Sequence, residues 1–303
     1  MERDPRFVQL YNSIMTENKT ELESLRKRSK VKIIGLIIIC IIFPIFLFTL
    51  FGAAALHISV FLIPIIVCII ALVAKNITNE KKSSSYTSVF KSQVILPLIQ
   101  HVFNSAEYSP NKQLSRTLYN NDYINVYKDN YDNYYSEDAV ITKDANDLVF
   151  AEVKLDREVQ TKNGREKVLV FWGLAGNFKS PIYFNSPIRI LRDSFYNGDV
   201  KMDSSEFEEN FNVYTREKIT TLSILTSDVM TKLVDIKNKF GKSLEIVFFA
   251  DKVYFRIDYS NLFEAKLNSE ALSIESIEKY YNLLCNIKDM SDYIVEVLKN
   301  ANI

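Results

Sequence analysis

Two hydrophobic patterns divide the chain. Residues 33–51 read IIGLIIICIIFPIFLFTLF, apolar without a period and without a charge, and 56–75 hold a second such run. A helix rises about 1.5 Å per residue, so a run of this length covers about 28 Å, close to the roughly 30 Å hydrocarbon core of a bilayer. The first run has fifteen Ile, Leu or Phe residues. At about −0.4 kcal/mol each near mid-membrane they favour insertion by about 6 kcal/mol at most. The small-residue turn GAAA at 52–55 makes the pair a two-helix transmembrane hairpin, with Pro44 and Pro64 as packing kinks. A re-entrant hairpin fits the same composition, since the outer turn has no charge. A cleaved signal peptide does not, because the run starts late and a second follows at once.

The flanks set the orientation. Arg26, Lys27, Arg28, Lys30 and Lys32 precede the first run, Lys75, Lys81 and Lys82 follow the second, and the turn between has no basic residue. Eight against none places both termini in the cytoplasm. The same cluster should hold anionic lipid headgroups, at about 1 kcal/mol per basic residue. The domains expected are therefore a basic amphipathic helix over 1–32, a hairpin over 33–75, and a cytoplasmic domain over 76–303 that supplies its own core.

Outside the hairpin the pattern becomes periodic. Phe7, Leu10, Ile14, Leu22 and Leu25 recur at helical spacing on a charged background, which predicts a docking face over 5–30. A partner helix is predicted over 85–104, bent or interrupted at Pro97. Alternation then takes over. Segments 148–155 (LVFAEVKL) and 167–178 (KVLVFWGLAGNF) flank Asn163-Gly164, a favoured hairpin turn, and a second hairpin pairs 244–249 with 253–257 around Asp251-Lys252. Helices are expected over 227–240, capped by Thr226, and over 274–299. Strand pairs mixed with helices, without regular βαβ alternation, predict an α+β fold with antiparallel sheet.

Charge and chemistry exclude more than they suggest. Basic and acidic side chains balance at 37 each, so no net charge points to nucleic acid. Cys40, Cys68 and Cys285 have no metal or disulfide spacing, which fits a reducing compartment. The abundance of Asn, Lys, Ile and Tyr over Gly is that of an AT-rich bacterial genome, so the membrane expected is the bacterial cytoplasmic (inner) membrane. Two histidines, His57 and His101, leave almost nothing for a Ser-His or Cys-His system or a zinc site. No phosphate-binding loop is present, and Gly173-Leu-Ala-Gly176 reads as a bulge or a tight sheet contact. No cofactor is implied. Three carboxylates remain as a candidate ligand surface: Glu137 and Asp138 after a Tyr-rich run, and Glu152 inside an apolar strand. They suit a general acid or base, or a divalent cation; the preferred reading is a solvated turn for the pair and a strand-face Glu152 bonded to a neighbour. Trp172 reads as a packing residue between sheet and helix.

The order of certain short segments resembles a bacterial two-transmembrane family of unknown function, domain-of-unknown-function three-one-three-seven. They are YSP at 108–110, YSED at 135–138, FAEV at 150–153, FWGLAGNFK at 171–179, MDSSEFEENFNVY at 202–214, ILTSDVM at 224–230 and LFE at 262–264. A Gly is usual in the family where Ser136 stands, and a Pro where Ser227 stands. The resemblance implies a membrane protein with a cytoplasmic domain and no established activity; a LemA-type membrane protein is the partner it suggests.

These readings converge on a membrane-anchored, non-enzymatic interaction or scaffold module. A membrane-bound, carboxylate-dependent enzyme with a divalent metal is the alternative from chemistry. An oligomeric channel or transporter component is the alternative from the hairpin, which carries no intramembrane charge.

Overall fold

The computed structural model describes residues 3–51, 85–121, 124–144, 146–162, 164–192, 198–268 and 270–301. The second apolar run, the turn before it, and Lys75, Lys81 and Lys82 lie outside them. The chain forms two compact units, one of Met1–Leu98 with Glu264–Lys279, the other of Ile99–Phe263 with Tyr280–Ile303.

The first unit is organised by α1 (Pro5–Phe51), one unbroken helix of 47 residues. Phe7, Ile14, Leu22, Arg26, Ser29 and Ile33 are buried at helical spacing. The stripe is used as the periodicity predicts, because α1 packs against α2 (Ser85–Phe90) and the π-helical turn Lys91–Ile95 that follows it. Gln93 also bonds Glu21 at 3.0 Å. The interruption expected at Pro97 is this π turn: the Leu96 N–H reaches back to the Lys91 carbonyl, and the chain continues into α3 (Leu96–Val102).

Segment 264–279 is strapped to these helices. Arg3 pairs with Glu275 at 2.7 Å and Glu278 at 3.2 Å, and the Tyr11 and Tyr86 hydroxyls donate to the carbonyls of Leu272 and Lys266. Helix α1 is thus part of a folded unit that includes downstream chain, where the sequence pattern suggested that 76–303 supplies its own core. The helical backbone runs through residues 33–51, but the side chains of 36, 39–41 and 43–51 are not described. Among the described residues, no helix is long and apolar enough to cross a membrane.

The second unit is an antiparallel sheet with helices. Its strands are β1 (Glu107–Ser109), β4 (Asn133–Ile141), β5 (Val149–Thr161), β6 (Gly164–Arg192), β7 (Phe211–Tyr214) and β8 (Leu244–Ile257); β2 (Asn120–Asn121) and β3 (Ile124–Asn125) form a separate small ladder. The order is β1-β4-β5-β6-β7, with β8 also paired to β6. The two strands expected to flank Asn163-Gly164 are paired, with Thr161 opposite Gly164, and Asn163 lies outside the described residues.

A straight β8 would extend some 45 Å at about 3.3 Å per residue. Yet the Asp258 N–H bonds the Ser243 carbonyl at 3.2 Å, and Glu245 pairs with Arg256. The run therefore doubles back near Ala250, whose φ is 53°. This is the second hairpin the sequence predicts, inserted between two halves of β6: 174–179 pair with 252–257, and 184–190 with 246–250.

Helices α4 (Ser205–Glu208), α5 (Lys218–Ile224), α6 (Ser227–Phe240) and α7 (Ile274–Asn300) complete the chain. α6 spans the predicted 227–240. Asp228 in its first turn and Lys237 and Lys239 in its last suit the helix dipole, and Gly241 at φ 60° closes it. Thr226 is its N-cap by conformation but makes no side-chain cap bond. On one sheet face Leu233 of α6 and Ile294 and Leu298 of α7 close over Phe248. The other face carries Val153, Leu155, Phe171, Ala175, Val247 and Tyr254 under Tyr119, Tyr127 and Tyr131.

Gly173 and Gly176 are tight sheet contacts. A Cβ at Gly173 would lie 2.2 Å from the Ile257 carbonyl oxygen, and one at Gly176 would lie 2.3 Å from that of Val149. Only hydrogen fits.

Candidate functional site

The three carboxylates come from adjacent strands. Glu137 on β4 stands directly opposite Glu152 on β5, so their side chains leave the same face of the sheet. Between Glu137 and Val140 the ladder shifts register, and Asp138 there takes φ 58°. The bulge turns Asp138 inward, where it is 1 % exposed, with its N–H on the Pro110 carbonyl at 2.9 Å. The expectation of a solvated turn for the pair is therefore corrected: both sit in a strand, and one is buried.

Each buried carboxylate faces protein donors. Glu152 accepts from the Trp172 indole N–H at 2.5 Å and from the backbone N–H groups of Asn261 and Leu262 at 3.0 and 2.7 Å. Asp138 accepts from the Tyr108 hydroxyl at 2.5 Å, and the Tyr108 ring meets Phe263 edge-on at 5.8 Å. The arrangement clasps the turn 261–263, in which Asn261 has φ 57° and Leu262 and Phe263 are fully buried. Carboxylates with two or three good donors act as fixed acceptors, and the bonded Glu152 expected from sequence is what the site contains. Trp172 serves as a donor, with Lys154 5.5 Å from the centre of its ring. Among the described residues no group of three or more His, Cys, Asp or Glu side chains could hold a metal ion.

Ser136 has a definite task. Its hydroxyl accepts from the Leu114 N–H at 2.7 Å and so fixes the segment that crosses the second face of the sheet.

That face holds a cluster the sequence reading missed. Arg256 is 7 % exposed and pairs with Glu245 and Asp129, its guanidinium 4.4 Å from the Tyr127 ring and 5.0 Å from that of Phe171. Burial works against this charge, but Glu245 first, then Tyr119 and Asp129, hold it above the ordinary arginine range. Burial likewise raises the Asp129 carboxyl, against the pull of Arg256. The Tyr119 and Tyr127 hydroxyls are buried without a hydrogen-bond partner among the described residues. Burial pushes both phenols well above 10. The register of the second hairpin was the available signal, because a turn near Asp251 sets Glu245 opposite Arg256.

In the first unit a different surface stands out. Lys27, Arg28, Lys30 and Lys32 are exposed on α1, as are Val31 among them and Ile34, Ile37, Ile38 and Ile42 just beyond. Arg26 is not part of this band. It is buried, donating to the carbonyls of Leu267 and Asn268 and paired with Glu23 at 3.0 Å. The eight flanking cations counted in the sequence thus include one that belongs to the fold.

No curated protein and no solved structure matches the chain. Residues 169–298, from the second arm of the first hairpin into the last turn of α7, match the family model described as Protein of unknown function (DUF3137).

Proposed function

We propose that the protein is a membrane-anchored interaction or scaffold module of the bacterial cytoplasmic membrane. Residues 33–51 and 56–75 form its two-span hairpin, and both termini are cytoplasmic. The observation that carries this reading is the surface of α1. One helix passes without a break from a docked stripe, through exposed Lys27, Arg28, Lys30 and Lys32, to exposed Ile34, Ile37, Ile38 and Ile42. With Val31, five exposed apolar side chains on one helix are costly in water and suit lipid, and a cation band beside them suits anionic headgroups. A non-enzymatic role is supported by the clasp, where Glu152 and Asp138 are engaged in holding a turn. Partner recognition then falls to the folded units, with a LemA-type membrane protein as the proposed partner.

Alkaline carbonate extraction of membranes containing the full chain tests the anchor. The chain should stay with the membranes, and replacing Ile37 and Ile38 by lysine should release it. Release of the unaltered chain by carbonate would overturn the proposal.

A further inference from the structure

One end of the sheet in the second unit gathers apolar and cationic side chains that neither the clasp nor the arginine cluster uses. The β6 connection around 180–187 and the β8 turn lie side by side there, since Lys179 is opposite Lys252 and Phe184 opposite Ala250. Helix α5 is fastened to the same place: Glu217 accepts from the Ser186 N–H at 2.8 Å and from its hydroxyl at 3.0 Å. Three of the most exposed large hydrophobic side chains in the described chain follow from this arrangement, Ile219 at 84 %, Tyr183 at 68 % and Leu222 at 52 %. Around them Lys179, Arg216, Lys218 and Lys252 are exposed, against exposed Asp251 in the β8 turn and Asp228 at the start of α6.

We infer that this tip is a second, peripheral contact of the protein with an anionic bilayer surface. Ile219 and Leu222 enter the headgroup–acyl boundary, Tyr183 sits at headgroup level, and the four cations face lipid phosphates. A side chain as exposed as Ile219 stands out from the surface rather than lining a cleft, which suits insertion between lipids better than a partner's pocket. The excess of cations supplies the complementarity to an anionic leaflet. Glu217, two residues before Ile219 in the chain, is engaged with Ser186. The contact rests on the membrane-anchored reading, which keeps the second unit near a bilayer.

Hydrogen exchange on the full-length chain tests it in nanodiscs of phosphatidylcholine alone and in nanodiscs one-third phosphatidylglycerol. Amides of 180–186 and 218–224 should exchange about tenfold more slowly in the anionic discs, the factor that about 1.4 kcal/mol of added protection gives. The I219E/L222E variant should lose that difference while amides of β5 and α7 stay protected. Equal exchange in the two lipids with the chain retained in the discs would overturn the contact and leave the anchor standing; a protein partner for the tip would give this result. A chain that leaves the discs would overturn both.

Discussion

Replacing Glu152 by alanine tests whether the candidate site is structural. The side chain is 3 % exposed and accepts three hydrogen bonds, from the Trp172 indole and from the N–H groups of Asn261 and Leu262. Bonds to a charged acceptor contribute about 1.5–3 kcal/mol each, which brackets the loss at roughly 5–9 kcal/mol. Two effects reduce it. Asn261 is an exposed residue whose N–H can turn to water, and removing the carboxylate also removes its desolvation cost. The buried Leu262 N–H has no such relief, so the net cost should be about 3–5 kcal/mol. Glu152→Gln keeps one acceptor oxygen but sets an NH2 group against a backbone donor, and should cost about 2–3 kcal/mol. Trp172→Phe removes one donor and should cost about 1–2 kcal/mol. Urea unfolding of the full chain in mild detergent gives these values. Trp172 is the only tryptophan, so its fluorescence reports from the site itself in the two Glu152 variants. Circular dichroism follows Trp172→Phe. A loss below about 1 kcal/mol for Glu152→Ala, or a glutamine variant as stable as the parent, would refute the clasp.

Burial pushes the phenols of Tyr86 and Tyr134 up to about 12 and those of Tyr119 and Tyr127 well above 10. The folded chain keeps those protons where the unfolded chain loses them, so stability should fall as pH rises above 10. An alkaline absorbance titration should find these four ionising only at higher pH or with unfolding. Gly176→Ala would bring a Cβ 2.3 Å from the Val149 carbonyl oxygen and 2.7 Å from the Phe150 Cβ. With backbone on one side and a strand-locked side chain on the other, it should cost about 3 kcal/mol or more in the same urea assay. Millimolar Mg²⁺, Ca²⁺ or Mn²⁺ should not move the melting midpoint. A site at a hundredfold excess over Kd would add about 2.7 kcal/mol, so a cation-dependent rise abolished by Glu137→Gln, Asp138→Asn and Glu152→Gln together would favour the metal-dependent enzyme.

Elements with a clear period were legible from sequence. α6 spans Ser227–Phe240 and α7 spans Ile274–Asn300, close to the predicted bounds, because their apolar residues recur at helical spacing between real stops. Both hairpins were legible from their turns. The reach of β6 to Arg192 was not, because Pro181 and Pro187 interrupt the alternation of 180–192 and only pairing with β8 keeps that stretch extended. Strands β1 and β7, of three and four residues, are too short to show a period. The candidate site was half legible. An acid in an apolar strand drew attention to Glu152, but the bulge that buries Asp138 depends on β4 meeting two strands at once, and the donors, Tyr108 to Asp138 and the turn after β8 to Glu152, are remote in sequence. Arg256 was hidden because a strand such as VYFRI reads as having its arginine on the open face, and the segment that covers it carries no strong pattern of its own.

The central claim is an anchor with both ends in the cytoplasm, and reporter fusions at residue 1 and residue 303 test it most directly. A reporter active only in the cytoplasm should work at both positions, and one active only in the periplasm should be silent at both. Periplasmic activity at residue 303 would contradict the account, because a hairpin with basic flanks on both sides cannot deliver the C-terminal domain across the membrane.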